Sequence, residues 1–354
     1  MEPFRPERIY IDREAREKAL TRQVLTRLPG VPVEYIENKE KIVSRSASVE
    51  DAITEGKKKL LITTQKGTFF KSCPGCVERM VHCNYYILNL GSNCPMECTY
   101  CFLQGYINNP FLVLYANLED MMAEVSALFS QSPKRSYRIG TGELMDSLAL
   151  DGLTATSRVL IPFFTQWENT LLELKTKTNQ VDNLLDLDHR GQVVVSWSLN
   201  PQAIIETQEF KTSSLEERLL AAQKCQEAGY KIGLHFDPLI YYPEWEKDYQ
   251  ELLDQVFSRI NSRNIAWISL GSLRFTSELK AVIRKRFPQS KILFEEFAPG
   301  VDGKMRYLKP IRVSMYLRML EWIRRHDAKL TPYLCMESQE VWHRVFLDRE
   351  GKKR

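Results

Sequence analysis

After about residue 80, short apolar runs alternate with amphipathic helical stretches to the end of the chain. The candidate strands are Tyr85–Leu90, Tyr137–Gly140, Leu171–Lys175, Val193–Ser198, Lys231–Phe236 and Ile265–Leu270. Helical stretches at about 118–130, 153–167, 215–228, 247–260 and 276–287 separate them. Apolar strands that alternate with helices predict a parallel sheet with right-handed crossovers, covered by helices. Six such units before a final strand near Leu330–Leu334 predict an α/β fold with an open partial (β/α)6 barrel.

The first 80 residues have a different pattern and predict a small N-terminal α/β domain over residues 1–80. Charged and apolar residues are interleaved at helical spacing over 11–28. The runs Val31–Tyr35, Lys59–Thr64 and Thr68–Lys71 read as strands, and the turn at 65–67 joins the last two. We therefore expect this small domain, a barrel domain over 81–345 and a basic tail over 346–354.

Composition indicates a globular protein without membrane segments. Apolar residues make up 44% of the chain and charged residues 27%, which are ordinary values for globular domains. No apolar run approaches the roughly 20 residues that span a bilayer, and the N-terminal residues do not resemble a signal peptide. The net charge of +4 permits nucleic-acid binding without arguing for it. We expect a cytoplasmic protein that acts as a monomer.

Three cysteines, Cys94, Cys98 and Cys101, follow the first barrel strand with the spacing C-x3-C-x2-C. Three thiolates on so short a loop can hold three irons of a [4Fe-4S] cluster, whereas most clusters have a cysteine for every iron. The fourth iron then stays open to a ligand, as in catalytic metal sites. A zinc knot is the alternative, but no second C-x2-C or histidine pair follows nearby.

A second cysteine group, Cys73, Cys76 and Cys83, precedes this loop. A C-x2-C pair with a third cysteine within ten residues can bind zinc or an auxiliary cluster if the fold supplies another ligand. The alternative is that these thiols bind no metal. We keep the possible second metal or cluster as a hypothesis.

Polar residues stand where predicted barrel strands end, which is the edge of such sheets that binds ligands. Glu143 closes a glycine-rich turn after the second strand, Lys175 ends the third strand, and Ser198 ends the fourth. A carboxylate, an ammonium and a hydroxyl can together orient a polar cofactor. Each residue alone also has a purely structural interpretation: Glu143 can belong to an ordinary turn, Lys175 can be a solvated lysine, and Ser198 can initiate a turn.

The final strand ends at Cys335, whose thiol could return a hydrogen atom to a carbon radical because S–H bonds are weak. The alternative is that Cys335 is a buried cysteine that packs as a small apolar side chain. Cys225, on a predicted helix, is expected to be structural.

In combination, these features resemble the spore photoproduct lyase family of radical S-adenosylmethionine (SAM) enzymes. The resemblance covers nearly the whole chain and is carried by Pro3–Ile11, the cysteine loop with Phe102–Gln104, Lys175, 181–186, Ser196–Asn200, 228–238, Trp245 and Arg306–Tyr307. It implies a partial barrel, a [4Fe-4S] cluster on Cys94, Cys98 and Cys101, and SAM on the open iron. It further implies a damaged DNA substrate and an electron donor such as flavodoxin or ferredoxin.

The resemblance also implies residue roles, and the chain departs from some of them. Lys175 and Ser198 match SAM-binding positions, and Glu143 matches the acidic residue that holds the SAM amino group in radical SAM enzymes. Yet Glu143 also stands where the family has its hydrogen-donating cysteine, and no cysteine occurs from 102 to 224. Of the two relay tyrosines, Tyr100 is kept and Phe102 replaces the other. Either Cys335 substitutes as the donor, or the substrate is not the spore lesion.

The basic segment 303–312 matches a family hairpin that contacts DNA, with Lys304, Arg306, Tyr307 and Lys309 as the expected contacts. A solvated loop is the alternative reading. The sequence therefore predicts a radical SAM lyase that acts on a pyrimidine-dimer type of DNA lesion. The alternatives are a radical SAM enzyme acting on RNA or a peptide, and a non-catalytic iron–sulfur or zinc protein that binds nucleic acid.

Overall fold

In a computed structural model of the protein, the described residues are 3–37, 42, 51–75, 77, 78 and 80–347. The strands, in chain order, are β1 (Arg8–Asp12), β2 (Val33–Ile36), β3 (Lys59–Thr63), β4 (Phe70–Ser72), β5 (Tyr85–Leu88), β6 (Gly91–Ser92), β7 (Glu97–Cys98), β8 (Leu112–Tyr115), β9 (Tyr137–Gly140), β10 (Thr170–Thr176), β11 (Val193–Ser198), β12 (Glu209–Phe210), β13 (Lys231–Leu239), β14 (Ile265–Ser272), β15 (Arg274–Phe275), β16 (Phe297–Pro299), β17 (Met305–Tyr307) and β18 (Tyr333–Leu334).

The α-helices, in chain order, are α1 (Ala19–Arg27), α2 (Ala52–Lys57), α3 (Leu103–Tyr106), α4 (Leu118–Gln131), α5 (Asp151–Thr154), α6 (Ser157–Phe164), α7 (Gln202–Gln208), α8 (Leu215–Glu227), α9 (Trp245–Arg259), α10 (Ser277–Arg286), α11 (Lys309–His326) and α12 (Gln339–Phe346). Short 3-10 turns lie at Arg13–Ala15 and Ser262–Asn264. None of the described helices is long and apolar enough to cross a membrane.

The chain forms two compact units, and the division differs from the predicted boundary near residue 80. The first comprises Met1–Ser72, Tyr85–Glu97 and Tyr106–Val193, and the second comprises Cys73–Asn84, Cys98–Gly105 and Val194–Arg354. The N-terminal strands do not form a sheet of their own, because β8 pairs with β3 and β6 pairs with β8. Segments from beyond residue 80 therefore complete the N-terminal sheet.

The first unit contains a five-stranded sheet in the order β2-β1-β3-β8-β6. Its first four strands are parallel, and only β6 runs antiparallel to its neighbour. The unit also contains the barrel strands β10, β9 and β5, which are parallel, with β4 antiparallel to β5 at the edge. The carboxyl ends of β9 and β10 carry the turn at Glu143 and the end-of-strand Lys175.

The second unit contains the parallel barrel strands β11, β13, β14 and β18, in that order. Strand β11 is buried along its whole length, as a strand covered on both faces should be. Helix α8 begins at a capping box in which Ser214 and Glu217 satisfy each other's backbone N–H groups. A small antiparallel sheet of β15, β17 and β16 follows β14 in the chain.

Two N-terminal predictions are wrong. The predicted helix over 11–28 starts only at Ala19, because Ile9 and Ile11 alternate with more exposed residues and are buried in β1, between β2 and β3. The predicted hairpin across 65–67 does not form, since β3 and β4 belong to different sheets. By contrast, the predicted strands Tyr137–Gly140 and Val193–Ser198 have the bounds observed for β9 and β11.

Candidate active site

The cysteine loop leaves β6 through Asn93, which fixes the direction of the chain into Cys94. Asn93 has a positive φ of 71°, a conformation that asparagine tolerates better than most residues. Its side-chain Oδ1 accepts the backbone N–H of Cys94 at 2.9 Å, and its Nδ2 donates to the carbonyl of Pro110 at 2.8 Å. Cys94 itself is buried. The start of the loop is thus held by side-chain hydrogen bonds.

A buried lysine from α2 holds the next part of the loop in the first unit. The ammonium of Lys57 donates to the carbonyl of Met96 and lies 3.5 Å from the carboxylate of Glu97. Because a buried charge is costly unless it is paired, these contacts strongly favour one arrangement of Met96 and Glu97.

In the second unit, Gln208 and Gln104 hold the remainder of the loop. The Thr99 backbone N–H donates to the carbonyl of Gln208 at 2.8 Å, and the Thr99 hydroxyl donates to its side-chain oxygen at 2.8 Å. Gln104 donates to the carbonyls of Cys98 and Thr99 at 3.1 and 2.9 Å. Cys98 is buried and Cys101 is half-buried. Backbone and side-chain contacts therefore both fix this part of the loop.

Tyr100 extends from the loop into a buried polar network. Its hydroxyl donates to the carboxylate of Glu209, which also receives hydrogen bonds from Arg218 at 2.6 Å and Asn200 at 2.8 Å. Tyr249 in turn donates to the side chain of Asn200 at 2.6 Å. Burial and the nearby Glu209 carboxylate raise the pKa of Tyr100 well above its usual value, so the phenol stays neutral.

Among the described residues, no three histidine, cysteine, aspartate or glutamate side chains are grouped so as to hold a single metal ion. A four-iron cluster places its cysteines on different irons, so they need not converge on one ion. For the predicted second site, Cys73 and Cys83 are half-buried, and Cys76 lies outside the described residues. That site stays a prediction.

Glu143 and Lys175 lie close enough together in the first unit to interact electrostatically. The Glu143 side chain is 18% exposed, and its Oε2 has no hydrogen-bond partner and lies 3.6 Å from Lys71 Nζ. Burial raises the pKa of Glu143, and the ammonium groups of Lys71 and Lys175 partly offset the rise. A Cβ on Gly142 would lie 3.3 Å from the Cβ of Lys175, so the turn passes close to this strand end. The pair suits a ligand that carries both an ammonium and a carboxylate group.

Asp146 ties the turn after β9 to the end of β10. Its carboxylate accepts the backbone N–H groups of Leu148, Ala149 and Lys177, and the hydroxyl of Thr176, at 2.7 to 3.0 Å. Burial nevertheless raises the pKa of Asp146, although these hydrogen bonds oppose the rise. The turn that carries Glu143 is therefore held in place before any ligand binds.

Ser198 lies at the end of β11 in the second unit, where it pairs in register with His235 of β13. It is buried, and its carbonyl accepts a hydrogen bond from Arg218 at 2.9 Å. The same arginine therefore contacts both this strand end and Glu209.

Cys335 directly follows β18 and is held by two neighbours. Its backbone N–H donates to the carbonyl of Leu270 at 2.8 Å, and Arg274 Nη2 lies 4.0 Å from its sulfur. Arg274 forms a two-point ion pair with Asp237 at 2.8 and 3.0 Å. This pair places a fixed guanidinium beside a half-buried thiol.

Two of the four residues predicted to contact DNA are buried, and these two predictions are wrong. Tyr307 is wholly buried, with its hydroxyl accepting the backbone N–H of Tyr241, and Arg306 is buried in an ion pair with Asp302. Neither side chain has a surface to offer a phosphate, so both support the segment from inside. Lys304 and Lys309 keep 35% and 41% of their side chains exposed.

Sequence reasoning missed Lys57, Asp237, Glu209 and Arg218. A signal for Arg218 existed, because it falls on the apolar stripe of α8 that includes Leu215, Leu219 and Ala222, all buried. An arginine on such a stripe needs a buried anion. Its partner Glu209 gives no comparable signal, because it begins the two-residue strand β12 directly after α7.

A family model of spore photoproduct lyase matches residues 4–309 of the chain. The chain belongs to the spore photoproduct lyase family. The spore photoproduct lyase of Geobacillus sp. (strain Y412MC61) is 27% identical over 302 residues, which cover 84% of this chain and 86% of the relative. That of Bacillus subtilis (strain 168) is 27% identical over 300 residues, covering 83% and 86%.

Solved structures give the same result for the fold. A cysteine-to-alanine variant of spore photoproduct lyase matches with a TM-score of 0.84 and 24% identity, over 94% of this chain and 100% of that one. A doubly substituted variant with bound AdoMet and dinucleoside spore photoproduct matches with a TM-score of 0.81 and 23% identity, over 96% and 100%. The predicted fold class, a partial radical SAM barrel, is confirmed.

The predicted family and class of enzyme are also confirmed. Spore photoproduct lyases are radical SAM enzymes that repair a DNA lesion.

Proposed function

We propose that this protein holds a [4Fe-4S] cluster on Cys94, Cys98 and Cys101, binds SAM, and repairs a pyrimidine-dimer type of DNA lesion as a carbon–carbon lyase. The observation that carries the proposal is the three-cysteine loop within a family match that runs from residue 4 to 309. The donor set fits the cluster, because three thiolates on this loop leave one iron for SAM. When bound, the cluster and SAM supply a 5′-deoxyadenosyl radical that abstracts hydrogen from the substrate.

The unpartnered carboxylate oxygen of Glu143 is the second support for the proposal. A buried carboxylate oxygen without a hydrogen-bond partner is costly, and the ammonium of the SAM methionyl group would satisfy it. Lys175, close by, would pair with the SAM carboxylate, and Ser198 would offer its hydroxyl to the same cofactor. These residues bind and orient, while the cofactor carries out the difficult chemistry.

The remaining assignments concern partners. An electron donor such as flavodoxin or ferredoxin would reduce the cluster, and Lys304 and Lys309 would contact the phosphates of a damaged duplex. A dimer inside a duplex must be extruded to reach an enclosed site, at a cost of a few kcal/mol. We further propose that the protein acts as a monomer in the cytoplasm.

One observation favours a different radical SAM substrate, such as RNA or a peptide. By the family resemblance, Glu143 stands at the hydrogen-donor position and Phe102 replaces the second relay tyrosine. A carboxyl O–H bond is too strong to give a hydrogen atom to a carbon radical. Unless Cys335 provides that atom, a substrate that needs no hydrogen return would suit this chain better.

The test uses anaerobically reconstituted protein with SAM, dithionite and duplex DNA that contains each type of dimer, followed by mass spectrometry. We expect 5′-deoxyadenosine together with one reverted dimer. Cys98→Ala should abolish both products, whereas Cys225→Ala, which removes another buried cysteine of the second unit, should retain them. Formation of 5′-deoxyadenosine with no reverted dimer would support the alternative substrate, and no SAM cleavage at all would contradict both.

A further inference from the structure

Tyr100, Glu209 and Arg218 form a continuous buried chain of hydrogen bonds that begins between two cysteines of the loop. We propose that this series of hydrogen bonds, called here the tyrosine lock, holds Cys98 and Cys101 in position for the cluster. In this protein Tyr100 is then a positioning residue and not a hydrogen relay. The inference rests on the proposed function, since it assumes that these cysteines bind a cluster.

The lock is rigid because its carboxylate is held from several sides. Glu209 receives the Tyr100 hydroxyl, and Arg218 forms an ion pair with it at 2.6 Å. Arg218 is itself fixed by hydrogen bonds to the carbonyls of Ser213 and Ser198, both at 2.9 Å. The side chains of Glu209 and Arg218 have no exposed surface. A buried ion pair with all of its hydrogen bonds made cannot move away without leaving a charge unpaired.

The Tyr100 hydroxyl donates its only proton within this lock. A relay tyrosine must offer its O–H to the group that it reduces, and here the O–H points to a carboxylate. Phe102, which the family resemblance places at the next relay position, carries no O–H and is 46% exposed. Geometry and sequence therefore both argue against hydrogen transfer through this part of the loop.

The lock acts on both cysteines because of where Tyr100 stands in the chain. It directly precedes Cys101 and lies two residues after Cys98. Thr99, between Cys98 and Tyr100, has its own ties to Gln208. Cluster ligands that are fixed in this way do not need to be ordered when the cluster assembles, which should slow the loss of iron.

Tyr100→Phe tests the lock, because it removes one hydroxyl and leaves the ion pair in place. Tyr316→Phe is the matched control. Like Tyr100, Tyr316 is buried, and its hydroxyl donates at 2.8 Å to Glu337, which pairs with Arg312 at 2.8 Å. The two substitutions remove the same group from the same kind of environment, but only Tyr100 lies on the cysteine loop.

The readouts are the rate of iron release to a chelator and the electron paramagnetic resonance (EPR) spectrum of the reduced cluster with and without SAM. We expect Tyr100→Phe to release iron roughly tenfold faster than the wild type and to alter the change that SAM causes in the spectrum. Tyr316→Phe should match the wild type in both. Thr99→Val, which removes the hydrogen bond from the Thr99 hydroxyl to Gln208, should shift both readouts in the same direction as Tyr100→Phe.

Two outcomes would overturn the inference. If Tyr100→Phe keeps wild-type iron release and spectra, the hydroxyl does not hold the cysteines, and a selective loss of hydrogen return to the product would then identify a relay. If the wild type takes up no iron at all, the proposed function fails together with the inference. The two failures are distinguished by the wild-type iron content, which is measured before any variant is compared.

Discussion

Lys71 Nζ lies 3.6 Å from Glu143 Oε2, close enough for electrostatic attraction but beyond hydrogen-bonding distance. The carboxylate is thus near a cation and still lacks a hydrogen bond at one oxygen. Such an oxygen can accept a hydrogen bond from a ligand without first losing a hydrogen bond to the protein. This relationship makes Glu143 the most informative residue for testing SAM binding.

We expect Glu143→Gln to weaken SAM binding without changing the iron content. A hydrogen bond to a charged group contributes about 1.5–3 kcal/mol, so the dissociation constant should rise roughly tenfold or more. Anaerobic equilibrium dialysis with labelled SAM measures it. Glu119→Gln, which alters an exposed glutamate of the same unit, should bind SAM as the wild type does, and equal affinities of all three proteins would remove Glu143 from the SAM site.

SAM binding should also depend on pH through Glu143. Burial raises the pKa of this carboxyl, so on acidification it loses its charge at a higher pH than an ordinary glutamate. Wild-type affinity should therefore start to fall at a correspondingly higher pH, while the Glu143→Gln variant, which has no charge to lose, should show no such fall. The same dialysis repeated across a pH series checks this, and parallel pH profiles of the two proteins would contradict it.

Cys335→Ala should separate SAM cleavage from completed repair. If the Cys335 thiol returns the hydrogen atom, the variant still makes 5′-deoxyadenosine, but its ratio of reverted dimer to 5′-deoxyadenosine falls to background. Cys225→Ala is the control for loss of a buried thiol, and its ratio should stay at the wild-type value. Mass spectrometry of both products gives the ratio, and an unchanged ratio in Cys335→Ala would assign hydrogen return to another group.

Lys304→Gln and Lys309→Gln should each weaken DNA binding and lower its salt dependence. Each lysine that contacts a phosphate contributes about one to the slope of log affinity against log salt. Fluorescence anisotropy with a labelled duplex at several salt concentrations measures the slope. Tyr307→Phe, which changes a buried hydroxyl bound to the Tyr241 backbone, should destabilise the fold without changing the slope.

The barrel could be predicted from the sequence because its strands are apolar runs with clear ends. Strands β9 and β11 were predicted with the observed bounds, since both are buried runs that polar or turn residues terminate. Strand β1 was missed because its exposed residues are charged and because the residues that follow it have the spacing of a helix. Pairing between β3 and β8, about 50 residues apart, leaves no local signal, and so the two compact units could not be predicted.

The candidate site was predictable where chemistry depends on short spacing. Cys94, Cys98 and Cys101 stand within eight residues, and Glu143 follows β9 while Lys175 lies near the end of the neighbouring β10. Glu209 and Arg218 could not be paired with Tyr100 from sequence, because more than 100 residues separate them from it. The burial of Tyr307 and Arg306 also depends on tertiary packing, which a basic segment read along the chain does not reveal.

The buried pair of Arg218 and Glu209 should matter for stability far more than an exposed pair of the same kind. Arg218→Met keeps much of the side-chain volume but leaves Glu209 buried without its cation, which should cost about 3–5 kcal/mol of unfolding free energy. Glu216, on the same helix as Arg218, forms a more exposed ion pair with Arg259 at 2.7 Å. Arg259→Ala breaks that pair and should cost less than about 1 kcal/mol of unfolding free energy. Urea unfolding of the two variants gives both values. If the two losses are equal, Glu209 is not a buried anion that depends on Arg218, and the carboxylate that receives the Tyr100 hydroxyl is not fixed as the geometry indicates.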